Sequence, residues 1–334
     1  MFHGCRQLYT IGLRFQSKTH SRCIGTLTKA EAKKKRNQLY DEELKRQRAA
    51  VGRIEKIDVK YHGPTEEVIL AMNKNLSTPH DCAKHISEGL TKVAALALVN
   101  EKPWDMHRPL TGPCDLTFTT LKAPNISTNR AFWRTCSLIL GAVAENAFKD
   151  DVEVHLHSFP APSIKSGSFI SNVYLNLPDW QPTVPELQAM SALFVKLILR
   201  ELPVERLVVQ EDLAIEMFQE NRFKIKQIPD IAKHNENRIT LYRIGDHIDI
   251  SKGPMVGNTS LVGRTTVAAV HKIQTDEGEN LYRFQGVAIP SGILMNSFAY
   301  GLLEERAKKL NNVSWMPQRI EEDMEEKLTI AAQN

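Results

Sequence analysis

Histidine and cysteine are the residue types that could give this chain a metal site, but their spacing does not favour one. The five cysteines lie far apart and form no CxxC pair, which argues against both a zinc ribbon and a disulfide framework. His80 and His85 are five residues apart, a spacing that does not place two side chains on one helical face. Together with His107, they are interpreted as surface residues.

Four more histidines occur in segments with strand-like patterns. His155 and His157 are two residues apart and would share one face of a strand, while His247 and His271 lie in two other such segments. A new histidine cluster and a set of exposed strand faces are the two interpretations, and the second is favoured. The sequence contains no P-loop, GxGxxG, GxSxG or HExxH motif, so no short motif assigns a reaction.

A further candidate is the phrase GDHIDISKGPM, residues 245–255, which lies between two strand-like runs. Its Lys-Gly-Pro core predicts a tight turn. Ser251 and Met255 flank this turn at positions where cysteine and histidine could bind zinc, but a hydroxyl and a thioether are weak ligands for that metal. The turn is therefore interpreted as a structural feature that is kept for the shape of its backbone.

The segments that would position these side chains divide into two regions of mixed α and β structure. In residues 53–123, two strand patterns joined by a turn precede a helix that starts at Thr78 and Pro79, and further strands follow. Two strands, a helix and two strands is the order of a β-grasp fold. In residues 124–310, apolar residues at helical spacing over 129–151 precede more strand and helix patterns. The sequence thus predicts an α+β protein.

The two regions resemble the N-terminal half of threonyl-tRNA synthetase over about residues 53–310. STPHDCAKHIS and ALALVNEKPWDMHRPL resemble its TGS domain. Four segments resemble the editing domain that follows: 129–151, 161–177, 211–228 and 241–270. The resemblance implies a TGS-like β-grasp domain, residues 53–123, followed by an editing-like α+β domain, residues 124–310.

In the synthetase family, the editing pocket has four metal-ligand positions, a His-x-x-x-His pair on a helix and a cysteine and a histidine in a turn. The matching positions here are Trp133, Ser137, Ser251 and Met255. None is a ligand of the original type, and none is the imidazole or carboxylate that a hydrolytic general base requires. The resemblance therefore implies a chain with no metal, no cofactor, no small-molecule substrate and no catalytic residue.

Positive charge is concentrated at the N-terminus. Residues 1–50 hold 12 Lys and Arg against 4 Asp and Glu, a net charge of +8, whereas the remaining residues hold 31 against 35, a net charge of −4. Residues 1–28 are rich in Arg, Ser and Thr and contain no acid, which is typical of a mitochondrial transit peptide. Residues 29–52 predict a solvated basic helix, either an exposed linker or an arm that contacts RNA phosphates. The candidate RNA contacts are Lys33, Lys34, Lys35, Arg36, Lys45, Arg46 and Arg48.

The C-terminal part of the sequence carries two further expectations. Residues 299–312 resemble the helix that leads into the class II catalytic domain of synthetases, and no such domain follows, so aminoacylation is not expected. Residues 311–334 predict an acidic, solvated tail. No apolar run reaches the roughly 18–20 residues that a membrane span requires.

These features together resemble a family of mitochondrial large-subunit ribosomal proteins derived from the TGS and editing domains of threonyl-tRNA synthetase. That resemblance implies a structural role in the mitochondrial matrix, with mitochondrial rRNA and neighbouring large-subunit ribosomal proteins as partners. Two alternatives stay open. One is a free-standing trans-editing hydrolase that clears mischarged tRNA, and the other is a tRNA- or mRNA-binding regulator off the ribosome.

Overall fold

A computed structural model describes residues 28–64, 66–275 and 278–313 of the chain. The predicted transit peptide up to residue 27 and the predicted tail from residue 314 lie outside the described residues. The helices are α1 Lys29–Ala49, α2 Pro79–Ile86, α3 Glu88–Val93, α4 Ile126–Ala147, α5 Val184–Ile198, α6 Glu211–Met217, α7 Arg222–His234 and α8 Ser297–Lys308. The strands are β1 Lys56–His62, β2 Glu67–Asn73, β3 Ala94–Val99, β4 Lys102–Trp104, β5 Cys114–Thr120, β6 Val154–Ser158, β7 Phe169–Leu175, β8 Val204–Gln210, β9 Arg238–Ile244, β10 His247–Ile250, β11 Val262–Gln274 and β12 Asn280–Pro290.

Strands β1 to β5 with helices α2 and α3 form the predicted β-grasp fold. Their sheet has the order β2-β1-β5-β3-β4, in which β1 runs antiparallel to β2 and parallel to β5. Every second residue of β1 is buried, so one face of the strand packs on the domain core and the other faces solvent. Helix α2 begins as predicted, because the Thr78 side chain accepts a hydrogen bond from the N–H of Asp81 and Pro79 occupies the first turn.

A four-stranded antiparallel sheet, with the order β11-β12-β7-β6, forms the centre of the second region. Tyr282 and Phe284 of β12 pack in the main core with α4 and α5. Val287 and Ile289 of the same strand pack in a separate cluster with α8. Because helices cover both faces of the sheet, β12 is buried along almost its whole length and shows no alternation of polar and apolar residues.

Three antiparallel strands in the order β10-β9-β8 form a third sheet, which α1, α6 and α7 cover. The segment at 211–228 resembles a single helix of the editing domain, but here it forms two helices, α6 and α7. The second helix starts afresh because the Asn221 side chain accepts hydrogen bonds from the N–H groups of Phe223 and Lys224. This restart directs Lys224 into the interior, where it is 2% exposed.

Helix α1 forms as predicted, but only one side of it is solvated and the other is buried. Its buried residues are Ala32, Arg36, Tyr40 and Glu43, spaced three or four apart on one face against the third sheet. Two of these four side chains are charged. The face therefore contains too few apolar residues for the sequence to predict that it packs against the rest of the protein.

The first turn of α1 is closed by a reciprocal pair of hydrogen bonds, a capping box. Thr28 Oγ1 accepts from the N–H of Glu31 over 3.3 Å, and the Glu31 carboxylate accepts from the N–H of Thr28 over 2.9 Å. The helix therefore starts at a defined residue rather than fraying.

A histidine pair lies where the β-grasp domain meets the second region. The His80 and His107 rings are 4.8 Å apart between centroids, and His107 Nε2 donates a hydrogen bond of 2.9 Å to the carbonyl oxygen of Gly257. Both rings are half-buried, so of the three histidines interpreted as surface residues only His85 is exposed. Burial and the neighbouring His107 lower the pKa of His80 to about 4, and burial also lowers the pKa of His107.

This pair should make the folded protein sensitive to mild acid. An ordinary histidine has a pKa of about 6.5, whereas folded His80 protonates only near pH 4. Between these values the unfolded chain binds more protons, so stability falls as the pH drops from 7 towards 4. We expect His80→Gln to reduce the fall in thermal midpoint between pH 7 and pH 5, measured by differential scanning fluorimetry. His85→Gln on the same helix is the control, and an unchanged slope in His80→Gln would contradict the assignment.

Candidate functional site

Helix α4 and the turn at residues 251–255 contact one another directly. The Arg134 guanidinium donates from Nη1 to the carbonyl oxygen of Pro254 over 3.0 Å, and the N–H of Val256 donates to Thr135 Oγ1 over 3.0 Å. These two segments carry the four positions that match metal ligands in the synthetase family: Trp133, Ser137, Ser251 and Met255.

The space around these positions is filled by the protein itself. Met255 is 1% exposed and lies in the main apolar core, against which the half-buried Trp133 packs. The Trp133 ring meets the Phe169 ring edge-on, with 6.2 Å between centroids. Ser251 Oγ accepts a hydrogen bond of 3.4 Å from the N–H of Gly253, within the turn itself. Among the described residues, no group of three His, Cys, Asp or Glu side chains is placed to hold a metal ion.

The glycine of the turn is required by its neighbour. Gly253 has a φ of +74°, in the region that L side chains rarely adopt, and a Cβ atom on it would lie 1.8 Å from the Tyr242 hydroxyl oxygen. The following peptide bond to Pro254 is cis. The turn therefore requires glycine at position 253, because Tyr242 packs against the backbone there.

An aspartate from the β-grasp domain holds the turn in place. Asp105, 4% exposed, accepts on Oδ1 from the Tyr242 hydroxyl and from the N–H of Met255, each over 2.9 Å. Arg206 Nε lies 3.5 Å from its second carboxylate oxygen. Burial, with the negative charge of Asp105 beside it, raises the pKa of Tyr242 well above its ordinary value. The two domains are thus joined at the turn by one buried carboxylate, which sequence reasoning did not single out.

Strand β10 places a second set of buried ionic side chains next to α4. His247 Nδ1 donates to the Glu145 carboxylate over 2.8 Å, and Lys224 Nζ lies 2.5 Å from Asp249 Oδ1. His247, Lys224 and Asp249 are each no more than 2% exposed. The expectation that His247 lies on an exposed strand face was wrong, because the alternate residues of β10 point towards α4 and α7.

Glu145 connects this set to helix α1. Arg36 Nη1 lies 3.5 Å and Lys33 Nζ 3.8 Å from its carboxylate oxygens, and Arg36 also pairs with Glu220. Burial alone would raise the pKa of Glu145, but the hydrogen bond from His247 and the positive charges around it hold that pKa well below its ordinary value. Glu145 is therefore a buried anion that ties α1, α4 and β10 together. We call Glu145, His247, Arg36, Lys33 and Glu220 the ionic cluster.

An imidazole paired with a carboxylate can transfer protons, but this pair is enclosed. Only 1% of His247 is exposed, and its Nε2 atom has no hydrogen-bond partner among the described residues. A Cβ atom on Gly141, one helical turn beyond Ser137, would lie 3.5 Å from both His247 Nε2 and Ser171 Oγ. Within the part of the chain that the structure describes, the cluster is therefore a junction of α1, α4 and β10 in which the imidazole is buried.

The seven candidate RNA contacts on α1 divide into two groups. Arg36 is 6% exposed, Lys33 pairs with Asp246 over 2.9 Å, and Lys35 pairs with Glu216 over 3.2 Å. These three side chains bind the protein's own carboxylates. The exposed members are Lys34, Lys45, Arg46 and Arg48, of which Arg46 pairs with Glu43 on the same helix. The second group is the more exposed of the two, and contact of either group with RNA stays a prediction.

Comparison with known proteins agrees with the two-domain architecture. Residues 71–120 match the family model of the TGS domain. The chain is 27% identical to the probable cytoplasmic threonine–tRNA ligase 1 of Dictyostelium discoideum over 73% of its own length and 33% of the ligase. It is 30% identical to the mitochondrial threonine–tRNA ligase 1 of Arabidopsis thaliana over 71% of its length and 32% of that ligase. The chain therefore spans about a third of these ligases.

A third relative is matched along most of both chains. The large ribosomal subunit protein mL39 of Drosophila melanogaster is 51% identical over 82% of this chain and 84% of its own length. No helix in the part of the chain that the structure describes is long and apolar enough to cross a membrane. With its TGS domain, its synthetase-like second domain and this identity, the chain belongs to the mL39 family of large ribosomal subunit proteins.

Proposed function

We propose that this protein is a structural component of the mitochondrial large ribosomal subunit and supports mitochondrial translation without catalysing a reaction. The observation that carries the proposal is the 51% identity to a large ribosomal subunit protein over 84% of that protein's length. A ribosomal protein's role is to bind RNA and protein neighbours, which requires a stable fold and suitable surfaces rather than an open catalytic pocket.

The geometry supports the absence of catalysis. Trp133 and Met255 fill the region where the synthetase-like turn meets α4. His247, on the strand that precedes the turn, is paired with Glu145 and buried. A hydrolytic site would need an acid or base in reach of a substrate. Here the buried ionisable side chains next to α4 are paired with one another, as in His247 with Glu145 and Lys224 with Asp249.

The mitochondrial matrix is the location we propose, and rRNA is a proposed partner. The basis is the acid-free, Arg- and Ser-rich pattern of residues 1–28 and the positive charge of residues 29–50. Near-neutral charge in the remainder of the chain favours a peripheral protein that docks mainly on other proteins and meets RNA through one basic surface.

Sedimentation tests the proposed function. A tagged copy of the full chain should migrate with the large subunit in gradients of mitochondrial lysate, both in intact ribosomes with magnesium and in separated subunits after magnesium is chelated. Migration as a small free species would overturn the proposal. In that case, deacylation of mischarged tRNA and association with small RNAs would distinguish the trans-editing and regulatory alternatives.

The exposed basic residues of α1 should contribute to assembly through phosphate contacts. We expect replacement of Lys34, Lys45, Arg46 and Arg48 by Gln to weaken association with the large subunit and to make the remaining association depend less steeply on salt, because each lost phosphate contact reduces the number of counterions released on binding. The measurement is the bound fraction across gradients of increasing potassium chloride. Four Gln substitutions at exposed lysines of other elements, Lys84, Lys102, Lys196 and Lys233, form the matched control. If both variants stayed bound to the large subunit to the same extent at each salt concentration, the assignment of α1 to an RNA interface would be wrong.

A further inference from the structure

Two arginines lie close to the buried carboxylate of Asp105, where the β-grasp domain meets the second region. Arg206 is on β8, with its Nε atom 3.5 Å from Asp105 Oδ2 and its side chain 15% exposed. Arg108 lies in the turn after β4, and its backbone N–H donates to the carbonyl oxygen of Asp105 over 3.1 Å. Asp105 already accepts from Tyr242 and from the N–H of Met255 on its other carboxylate oxygen. Two guanidinium groups therefore have one carboxylate nearby, and that carboxylate is largely occupied.

The side chain of Arg108 is held in place by an aromatic ring. Its guanidinium lies over the Trp104 ring, with Cζ 3.5 Å from the ring centroid. The indole N–H of Trp104 donates to the carbonyl oxygen of Arg108 over 3.1 Å, and both residues are half-buried. A guanidinium that stacks on a ring keeps the N–H donors at the edge of its plane for another group. Among the described residues, none accepts a hydrogen bond from those donors.

The electrostatics around Arg108 favour a bound anion. Burial and the positive charge of Arg206 lower the pKa of Arg108, and the negative charge of Asp105 offsets them only in part. Within the described ranges of the chain, no carboxylate lies inside the ion-pair distance of 4.0 Å from the Arg108 guanidinium. By contrast, burial of Arg36 is more than offset by the carboxylates of the ionic cluster, which raise its pKa. Arg108 thus lacks the counter-charge that Arg36 has.

Phosphate is the anion whose shape suits two neighbouring arginines. A guanidinium presents parallel N–H groups that match two oxygens of a carboxylate or a phosphate. One such pair occupies both oxygens of a carboxylate, whereas a phosphate keeps further oxygens for a second guanidinium. Glu205, next to Arg206 in sequence, pairs with Arg243 over 2.6 Å, so its charge is already balanced. Because Arg108 is only half-buried, a phosphate outside the protein can reach it.

We propose that Arg108 and Arg206 bind a phosphate group at the junction of the two domains, with Trp104 fixing the plane of Arg108. The phosphate of an RNA backbone and free inorganic phosphate share this chemistry. The site itself stands on the geometry of this chain. The rRNA of the large subunit as its source rests on the proposed function.

A phosphate titration of the isolated full chain tests the site. The thermal midpoint is measured while potassium phosphate replaces potassium chloride at constant ionic strength and pH. We expect the midpoint of the wild-type chain to rise by about 2 °C, because a ligand that binds only the folded state stabilises it. Arg108→Gln should abolish the rise. Arg206→Lys keeps the charge beside Asp105 but not the planar fork of donors, so it should reduce the rise.

Arg200→Gln is the matched control, because Arg200 is an exposed arginine outside the site, and it should keep the full rise. Each variant is compared with its own midpoint in chloride, so a change in basal stability does not affect the result. An equal rise in Arg108→Gln, or no rise in the wild-type chain, would overturn the proposal.

Chemical modification in purified large subunits identifies the source of the phosphate. Phenylglyoxal, which reacts with accessible arginines, is applied in phosphate-free buffer, and modification of Arg108 and of the control Arg200 is measured by mass spectrometry. Protection of Arg108 that is lost after ribonuclease treatment assigns rRNA. Modification that only added phosphate prevents assigns free phosphate.

Two results of the modification experiment would overturn the proposal. Protection that survives ribonuclease without phosphate would mean that a protein neighbour covers the arginines. Modification that neither rRNA nor added phosphate prevents would mean that Arg108 binds neither. Absence of the chain from the large subunits would instead overturn the proposed function and leave the phosphate titration of the isolated chain unaffected.

Discussion

Asp105→Ala should lower the free energy of unfolding by about 3–5 kcal/mol, the range for removing one member of a buried charge pair. The substitution leaves the Tyr242 hydroxyl and the N–H of Met255 without their acceptor, and Arg206 without its carboxylate. In a domain of this size, such a loss lowers the thermal midpoint by roughly 10 °C. Scanning fluorimetry measures that midpoint, and hydrogen exchange at residues 251–256 should show faster opening of the turn.

Two further variants test whether the loss of stability in Asp105→Ala comes from removing this buried carboxylate. Asp105→Asn keeps an acceptor oxygen and removes the charge, so we expect an intermediate loss. Asp179→Ala removes a carboxylate that is 98% exposed and should change stability by less than about 0.5 kcal/mol. If Asp105→Ala were no more destabilising than Asp179→Ala, the buried aspartate would not be what joins the two domains.

Arg36→Gln should detach α1, at a cost of about 3 kcal/mol. The arginine contacts Glu145, Glu220 and the carbonyl oxygen of Met217, and its replacement removes one positive charge from beside both carboxylates. Hydrogen exchange should increase along the whole of α1, Lys29–Ala49. Lys34→Gln removes the same charge from the exposed side of the same helix and is the matched control. Equal protection of α1 in the two variants would contradict the assignment.

The same substitution should change the response to acid. The pKa of Glu145 is depressed in the folded protein, so its contribution to stability is present above the ordinary glutamate pKa and is lost as the pH falls below it. Removing the positive charge of Arg36 raises the pKa of Glu145. Acid unfolding of Arg36→Gln should therefore begin at a higher pH than that of the wild-type chain, as monitored by circular dichroism.

Local patterns were sufficient for the elements of the β-grasp domain. Alternation identified β1, and the Thr-Pro step identified the start of α2. These signals depend on residues that are near one another in sequence, so a single sequence is sufficient to predict the elements. The single helix implied for 211–228 was wrong, because the capping role of Asn221 depends on the direction in which its side chain turns.

The ionic cluster could not be predicted in the same way. Arg36, Glu145 and His247 are more than a hundred residues apart in sequence, and each is a type that is usually exposed. A charged side chain is buried only when the fold places an oppositely charged partner beside it. When that partner is far away in sequence, the composition of the chain does not show that the two will meet. From the sequence, the basic residues of α1 were therefore predicted as one RNA-binding group. In the structure, Arg36 and Lys33 have carboxylates of the protein as partners.

The capping box of α1 bears on where the proposed mitochondrial leader would be removed. Thr28 closes the helix by accepting from Glu31 and donating back to it. Cleavage directly after residue 28, the end of the predicted leader, would remove this cap and place a positively charged amino terminus against the positive end of the helix dipole. Cleavage a few residues upstream keeps both the cap and the charge balance. We therefore expect the N-terminus of the mature protein to lie before Thr28, which puts the end of the predicted leader at or before residue 26.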